Sequence, residues 1–213
     1  MKLEEFKKKA KDMTFLTKSE LRMLEPNKHT LDLNLKYWMK SGEIIQLKRG
    51  MYILKDRWER ERDIDRYREY LANQMMRPSY LSGEYVMQAH ALLTEAVYGV
   101  SSVTVKKTVA FSNPLGHFQY YSITPTLFTG YAVKRFGGAP VLVASKSKAL
   151  FDFLYLRFLK RAAINETAIE ELRIHWELVS KKEFREVASY AAMSKRRNIK
   201  SVMGIIRSLY YQA

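Results

Sequence analysis

The chain has 213 residues, 47% of them hydrophobic and 28% charged, so it can bury a core and is expected to fold rather than stay disordered. It has no cysteine, which excludes disulfides, thiolate metal ligands and a cysteine nucleophile; it also lacks the ~18 consecutive apolar residues that span a membrane. The formal net charge of +15 puts a polyanionic partner first among candidates. The excess sits at the ends. Residues 1–55 hold 13 Lys and Arg against 7 Asp and Glu, and residues 181–213 hold 8 against 2, while the stretch between holds 16 against 13. The charged, amphipathic start is unlike a signal peptide, and a cytoplasmic location is expected.

In chain order, residues 2–11 read as a helix with Leu3, Phe6 and Ala10 on one face. Thr17 stands three residues before Glu20, the spacing of a capping box, and predicts a helix over Lys18–Glu25 that stops at Pro26. After a short turn, Thr30 is the expected N-cap of a third helix over Leu31–Lys40, with Leu31, Leu35 and Trp38 inward and Gly42 as its left-handed C-terminal residue. Ile44–Leu47 and Met51–Leu54 flank Lys48-Arg49-Gly50, which predicts a β-hairpin. Three helices and a hairpin in this span make the pattern of a winged helix-turn-helix.

From Arg57 to Met76 the charge density predicts one solvent-bathed helix, with pairs such as Arg57–Glu61 and Asp65–Arg68, joining two domains. Beyond it the expectations are a helix over Ser79–Ala91, a strand over Val100–Val109 forming a hairpin with Phe118–Ile123, and strands at Phe128–Val133 and Val141–Val143. Helices are then expected at Lys148–Leu159 (the most buried), Glu166–Val179, Lys181–Met193 and Ile199–Tyr211. The expected fold class is α+β. A winged helix-turn-helix with its linking helix occupies 1–77, and a mixed α/β domain with a small, mostly antiparallel sheet and several helices occupies 78–213.

A search for catalytic chemistry finds little. The histidines His29, His90, His117 and His175 are scattered and form no metal-binding pair. Asp63 and Asp65 form a D-x-D, but inside the charged helical stretch; Asp152 lies in an apolar helix, where bonding to a nearby strand or turn is expected. No phosphate loop or nucleophile elbow is present, so neither enzymatic activity nor a cofactor is expected. The third helix and hairpin fit duplex DNA better. Lys36, Tyr37 and Lys40 lie on the outward arc, Lys28, His29 and Thr30 at the helix start, and Lys48 and Arg49 at the wing tip. A second basic surface, for DNA or for a protein, is expected at Lys195, Arg196, Arg197 and Lys200.

Four segments carry a resemblance. They are SGEIIQLKRGMYIL, PSYLSGEYVMQAHALLTEAVYGVSSVTVKKT, PLGHFQYYSITPTLFTGY and KALFDFLYL. Over roughly residues 15–156 the chain resembles the AbiEi family, antitoxins and transcriptional regulators of type IV abortive-infection toxin–antitoxin systems. It departs where the family commonly has Pro-Glu-Lys-Ala-Leu, reading Lys146-Ser147-Lys148-Ala149-Leu150 instead. The resemblance implies a repressor that binds inverted repeats in its own promoter, with room for an oligomer on DNA. It also implies a C-terminal domain that neutralises a nucleotidyltransferase-like toxin encoded next door, in a phage-defence operon. Two alternatives stand beside it. One is a stand-alone winged-helix regulator whose C-terminal domain dimerises or senses a ligand; the other is a nuclease using Asp63, Asp65 or Asp152.

Overall fold

The computed structural model describes residues 1–159 and 163–211 and is α+β. Its first part is α1 (Leu3–Ala10), β1 (Leu16–Thr17), α2 (Lys18–Leu24), α3 (Lys28–Lys40), β2 (Ile44–Lys48) and β3 (Met51–Leu54). The three strands form an antiparallel sheet in the order β1-β3-β2. The capping box forms: the Thr17 hydroxyl accepts from the Glu20 amide, and the Glu20 carboxylate accepts from the Thr17 amide. At α3 the expectation needs correcting. Asn27, not Thr30, is the cap, its Oδ1 accepting from the Thr30 amide at 2.9 Å. Lys28, His29 and Thr30 therefore form the first helical turn. Gly42 follows the helix with φ +76°, as expected of a left-handed terminator. Phe6, Leu21, Leu31, Leu35, Trp38, Ile44, Tyr52 and Leu54 close the small core, with Phe6 stacked on Trp38.

The charged stretch is not one helix. It divides into α4 (Lys55–Glu59) and α5 (Ile64–Met75), because the Asp63 carboxylate accepts from the Arg66 amide and starts a new helix. The Arg57–Glu61 and Asp65–Arg68 pairs do form. Yet α5 is far from solvent-bathed: Tyr67, Leu71, Ala72 and Met75 are wholly buried.

The second sheet has six strands: β4 (Ser79–Leu81), β5 (Gly99–Thr104), β6 (Val109–Asn113), β7 (Gly116–Ser122), β8 (Tyr131–Phe136) and β9 (Ala139–Ala144), in the order β6-β7-β5-β4-β9-β8. It is mixed: β4–β5, β6–β7 and β8–β9 are antiparallel, whereas β5–β7 and β4–β9 are parallel. The expected helix over Ser79–Ala91 begins instead as β4 and becomes α6 (Glu84–Ala89) only after Gly83, whose φ is +62°. The expected strand over Val100–Val109 ends at Thr104, where the hydroxyl donates to the Pro78 carbonyl. The hairpin partner of β7 is thus β6, and β5 lies on the other edge of β7, running parallel to it.

Helices α7 (Lys146–Phe158), α8 (Glu166–Glu170), α9 (Lys181–Met193) and α10 (Arg197–Tyr210) complete the structure. The helix expected over Glu166–Val179 stops early: Arg173 takes φ +48° and Ile174 pairs with Leu93 as an isolated bridge. α9 has the bounds its pattern predicts, with a second capping box from Ser180 and Glu183. Among the described residues no helix is long and apolar enough to cross a membrane.

Strand β3 is buried along its whole length and borders two cores. Tyr52 and Leu54 enter the small one, while Met51 and Ile53, with Leu47 of β2, enter the large one that holds α5, α7 and the second sheet. Alternation along a strand makes this sharing possible.

Candidate nucleic-acid interface

Helix α3 buries Leu31, Leu35 and Trp38, so spacing alone turns the opposite arc to solvent. On that arc His29, Lys36, Tyr37 and Lys40 are exposed, Tyr37 at 69%; Lys28 is exposed at the helix start and Thr30 is half-buried. Two other groups share the arc that the sequence did not single out. Leu33 is 55% exposed, and Asp32 pairs with Lys18 at 3.3 Å. Lys18 opens α2, and its amide donates to the Gly50 carbonyl at the hairpin tip. The tip and α3 are therefore tied together through Lys18 and Asp32. No local spacing signals this contact, since the partners are far apart in sequence.

Arg49 is exposed beside Gly50, whose φ of +79° makes the turn. Lys48 is a different case. Its Nζ donates to the carbonyl of Met75, the last residue of α5, and lies over the Phe111 ring. Burial, with Lys106 nearby, holds its ammonium below the usual lysine range. A cation at a helix C-terminus offsets the exposed carbonyls there. Asn113 adds a bond from its Nδ2 to the Leu47 carbonyl at 3.0 Å, so the hairpin is fastened to the second sheet. Lys48 is a structural tie rather than part of an open wing tip.

The second predicted basic group lies at the turn between α9 and α10. Lys195, Arg196, Arg197 and Lys200 are all exposed there and are joined by Arg207 around a groove.

The acidic candidates have internal roles. Asp63 caps α5 and Asp65 pairs with Arg68. Asp152 is wholly buried on α7; its Oδ2 accepts from Tyr80 Oη at 2.9 Å and Ser82 Oγ at 2.7 Å, and its Oδ1 pairs with Lys148 one turn earlier. The strand contact expected for it is present, with Tyr80 in β4 and Ser82 just after it. The Lys148 ammonium is also wholly buried, over the rings of Phe151, Tyr190 and Tyr80 at 4.7, 5.3 and 5.6 Å. Burial pushes the Asp152 carboxyl up and the Lys148 ammonium down, and each partner's charge pulls the other back. Among the described residues, no three His, Asp or Glu side chains assemble to hold a metal ion.

What this geometry offers is an exposed helix carrying lysines, a tyrosine and a histidine, beside an arginine-tipped hairpin. Those groups suit contacts to phosphate and to base edges. Among known protein families none matches the chain, and no curated protein is similar to it in sequence.

Proposed function

We propose that the protein is a DNA-binding repressor that uses α3 as the groove-reading helix of a winged helix-turn-helix. In this proposal it works in the cytoplasm by binding and not by catalysis. The observation that carries the reading is the exposed arc of α3, with Lys28, Lys36, Tyr37 and Lys40, next to exposed Arg49. A helix that buries one apolar stripe and turns a basic arc outward is the shape that a major groove admits. The resemblance to AbiEi antitoxins supports a narrower version: autorepression of a toxin–antitoxin operon, and neutralisation of a nucleotidyltransferase-like toxin by the rest of the chain.

With Lys48 tied to α5, four cations remain: Lys28, Lys36, Lys40 and Arg49. Four phosphates neutralised give a slope of log K against log[salt] near about −3.6. The test is a titration of duplex DNA from the region upstream of the gene, with a scrambled duplex as control. The Lys36→Ala/Lys40→Ala/Arg49→Ala variant is expected to flatten the slope by about one unit for each phosphate left without its cation. An unaltered slope and affinity in that variant would remove α3 from the interface. Co-expression with a neighbouring nucleotidyltransferase-like gene tests the antitoxin role, read as rescue of growth.

A further inference from the structure

The turn between α9 and α10 collects cations without matching acids. Helix α9 ends at Met193, Lys195 takes a left-handed φ of 53°, and Arg196 is already the N-cap of α10. Lys195 lies at a helix C-terminus, where a cation is favoured; Arg196, Arg197 and Lys200 crowd the start of the next helix, where it is not. That start has no side-chain cap and no acidic residue. Arg207 lies two turns beyond Lys200, about 10 Å along the axis. None of the five has a carboxylate partner among the described residues.

Between these cations the surface is apolar. A groove of about 540 Å³ is floored by Ala188, Ala192, Met203 and Gly204. Gly204 is the telling residue. It sits in the middle of a 14-residue helix, where glycine weakens the helix relative to alanine. Nothing among the described residues requires it, since a Cβ built there meets none of their atoms within 4 Å. The space that its missing side chain keeps clear is the groove itself.

We propose that this groove docks an acidic amphipathic helix of a partner protein. The partner's apolar stripe would lie along Ala192 and Gly204, and its Asp or Glu side chains would meet Lys195, Lys200 and Arg207. A floor of methyl and methylene groups rewards an apolar helix face and does nothing for a phosphodiester chain. The proposal does not depend on DNA binding by α3.

The probe is a fluorescent helical peptide of about 15 residues, with a Leu/Ala stripe flanked by Glu, read by anisotropy against the full chain. A scrambled peptide of the same composition and duplex DNA are run alongside. The ordered peptide is expected to bind at least about tenfold more tightly than the scrambled one. Gly204→Leu, which blocks the groove without altering charge, and Lys200→Glu are each expected to weaken it by a similar factor, with duplex affinity kept in Gly204→Leu. Ala192→Gln serves as a second blocking variant if Gly204→Leu misfolds. Equal binding of ordered and scrambled peptides, or full binding by the blocked groove, would overturn the proposal. So would a loss of duplex affinity in the blocked variants, which would assign the surface to nucleic acid.

Discussion

Replacing Lys148 by methionine is the most searching perturbation of the large core. Methionine keeps the length and apolar stem that lie among Tyr80, Phe151 and Tyr190, so the packing changes little. What changes is the proton count. In the parent, each partner's charge opposes the shift that burial imposes on the other, so the pair itself contributes the smaller pH slope. In the variant, the wholly buried Asp152 has no cationic partner, and burial raises its folded pKa above its unfolded one. A raised folded pKa contributes its stability below the unfolded pKa and loses it as pH rises. The carboxyl titrates at about 3.9 unfolded, and each pH unit above that costs about 1.4 kcal/mol while the folded carboxyl stays protonated. The variant is therefore expected to lose stability relative to the parent as pH rises from 5 to 7, by up to about 1.4 kcal/mol per pH unit. Urea unfolding followed by tryptophan fluorescence at both values measures it. The Lys148→Met/Asp152→Asn variant, which removes both the ammonium and the carboxylate, supplies the baseline slope. If the single variant parallels that baseline, Asp152 is not a stranded buried acid and the reasoning fails.

Gly130→Ala is expected to cost about 2–3 kcal/mol, because an L residue resists its φ of +77° and the new Cβ would clash with Tyr190 Oη. Gly138→Ala, with φ +82° and open space, isolates the backbone contribution; equal thermal midpoints for the two variants would refute the clash. Lys48→Ala is expected to lower stability by about 1–3 kcal/mol by removing the bond to the Met75 carbonyl. Its salt slope on duplex DNA should match that of the parent, and a slope flattened by about one unit would return Lys48 to the DNA interface.

The features legible in the sequence are those decided within a few residues. The capping box at Thr17 and Glu20, the left-handed Gly42 and the inward stripe of α3 are set by local spacing, and they stand as expected. Partners distant in sequence are not legible. Lys48 reads as a wing-tip cation until its carbonyl partner on α5 is seen, and Asp32 is offset by Lys18 across the α2–α3 unit. The parallel pairing of β5 with β7 likewise depends on long-range register. The burial of α5 does leave a trace: Tyr67, Leu71 and Met75 recur every fourth residue behind the charges. Asn73 argues against burial in the sequence, yet Leu142 of β9 satisfies it, donating its amide to Oδ1 at 2.7 Å.

The shared strand β3 governs how the molecule comes apart. Each of its side chains belongs to one core or the other, so opening either core strips one face of the same strand. Its backbone amides pair with β1 on one side and β2 on the other. Such amides have no inexpensive local opening and exchange with solvent only through global unfolding, so β3 should hold the slowest-exchanging protons in the chain. Urea is therefore expected to open both cores in one transition. A cut after residue 77, however natural it looks as a boundary in the sequence, parts Leu47, Met51 and Ile53 from the second sheet and α7, which share their core.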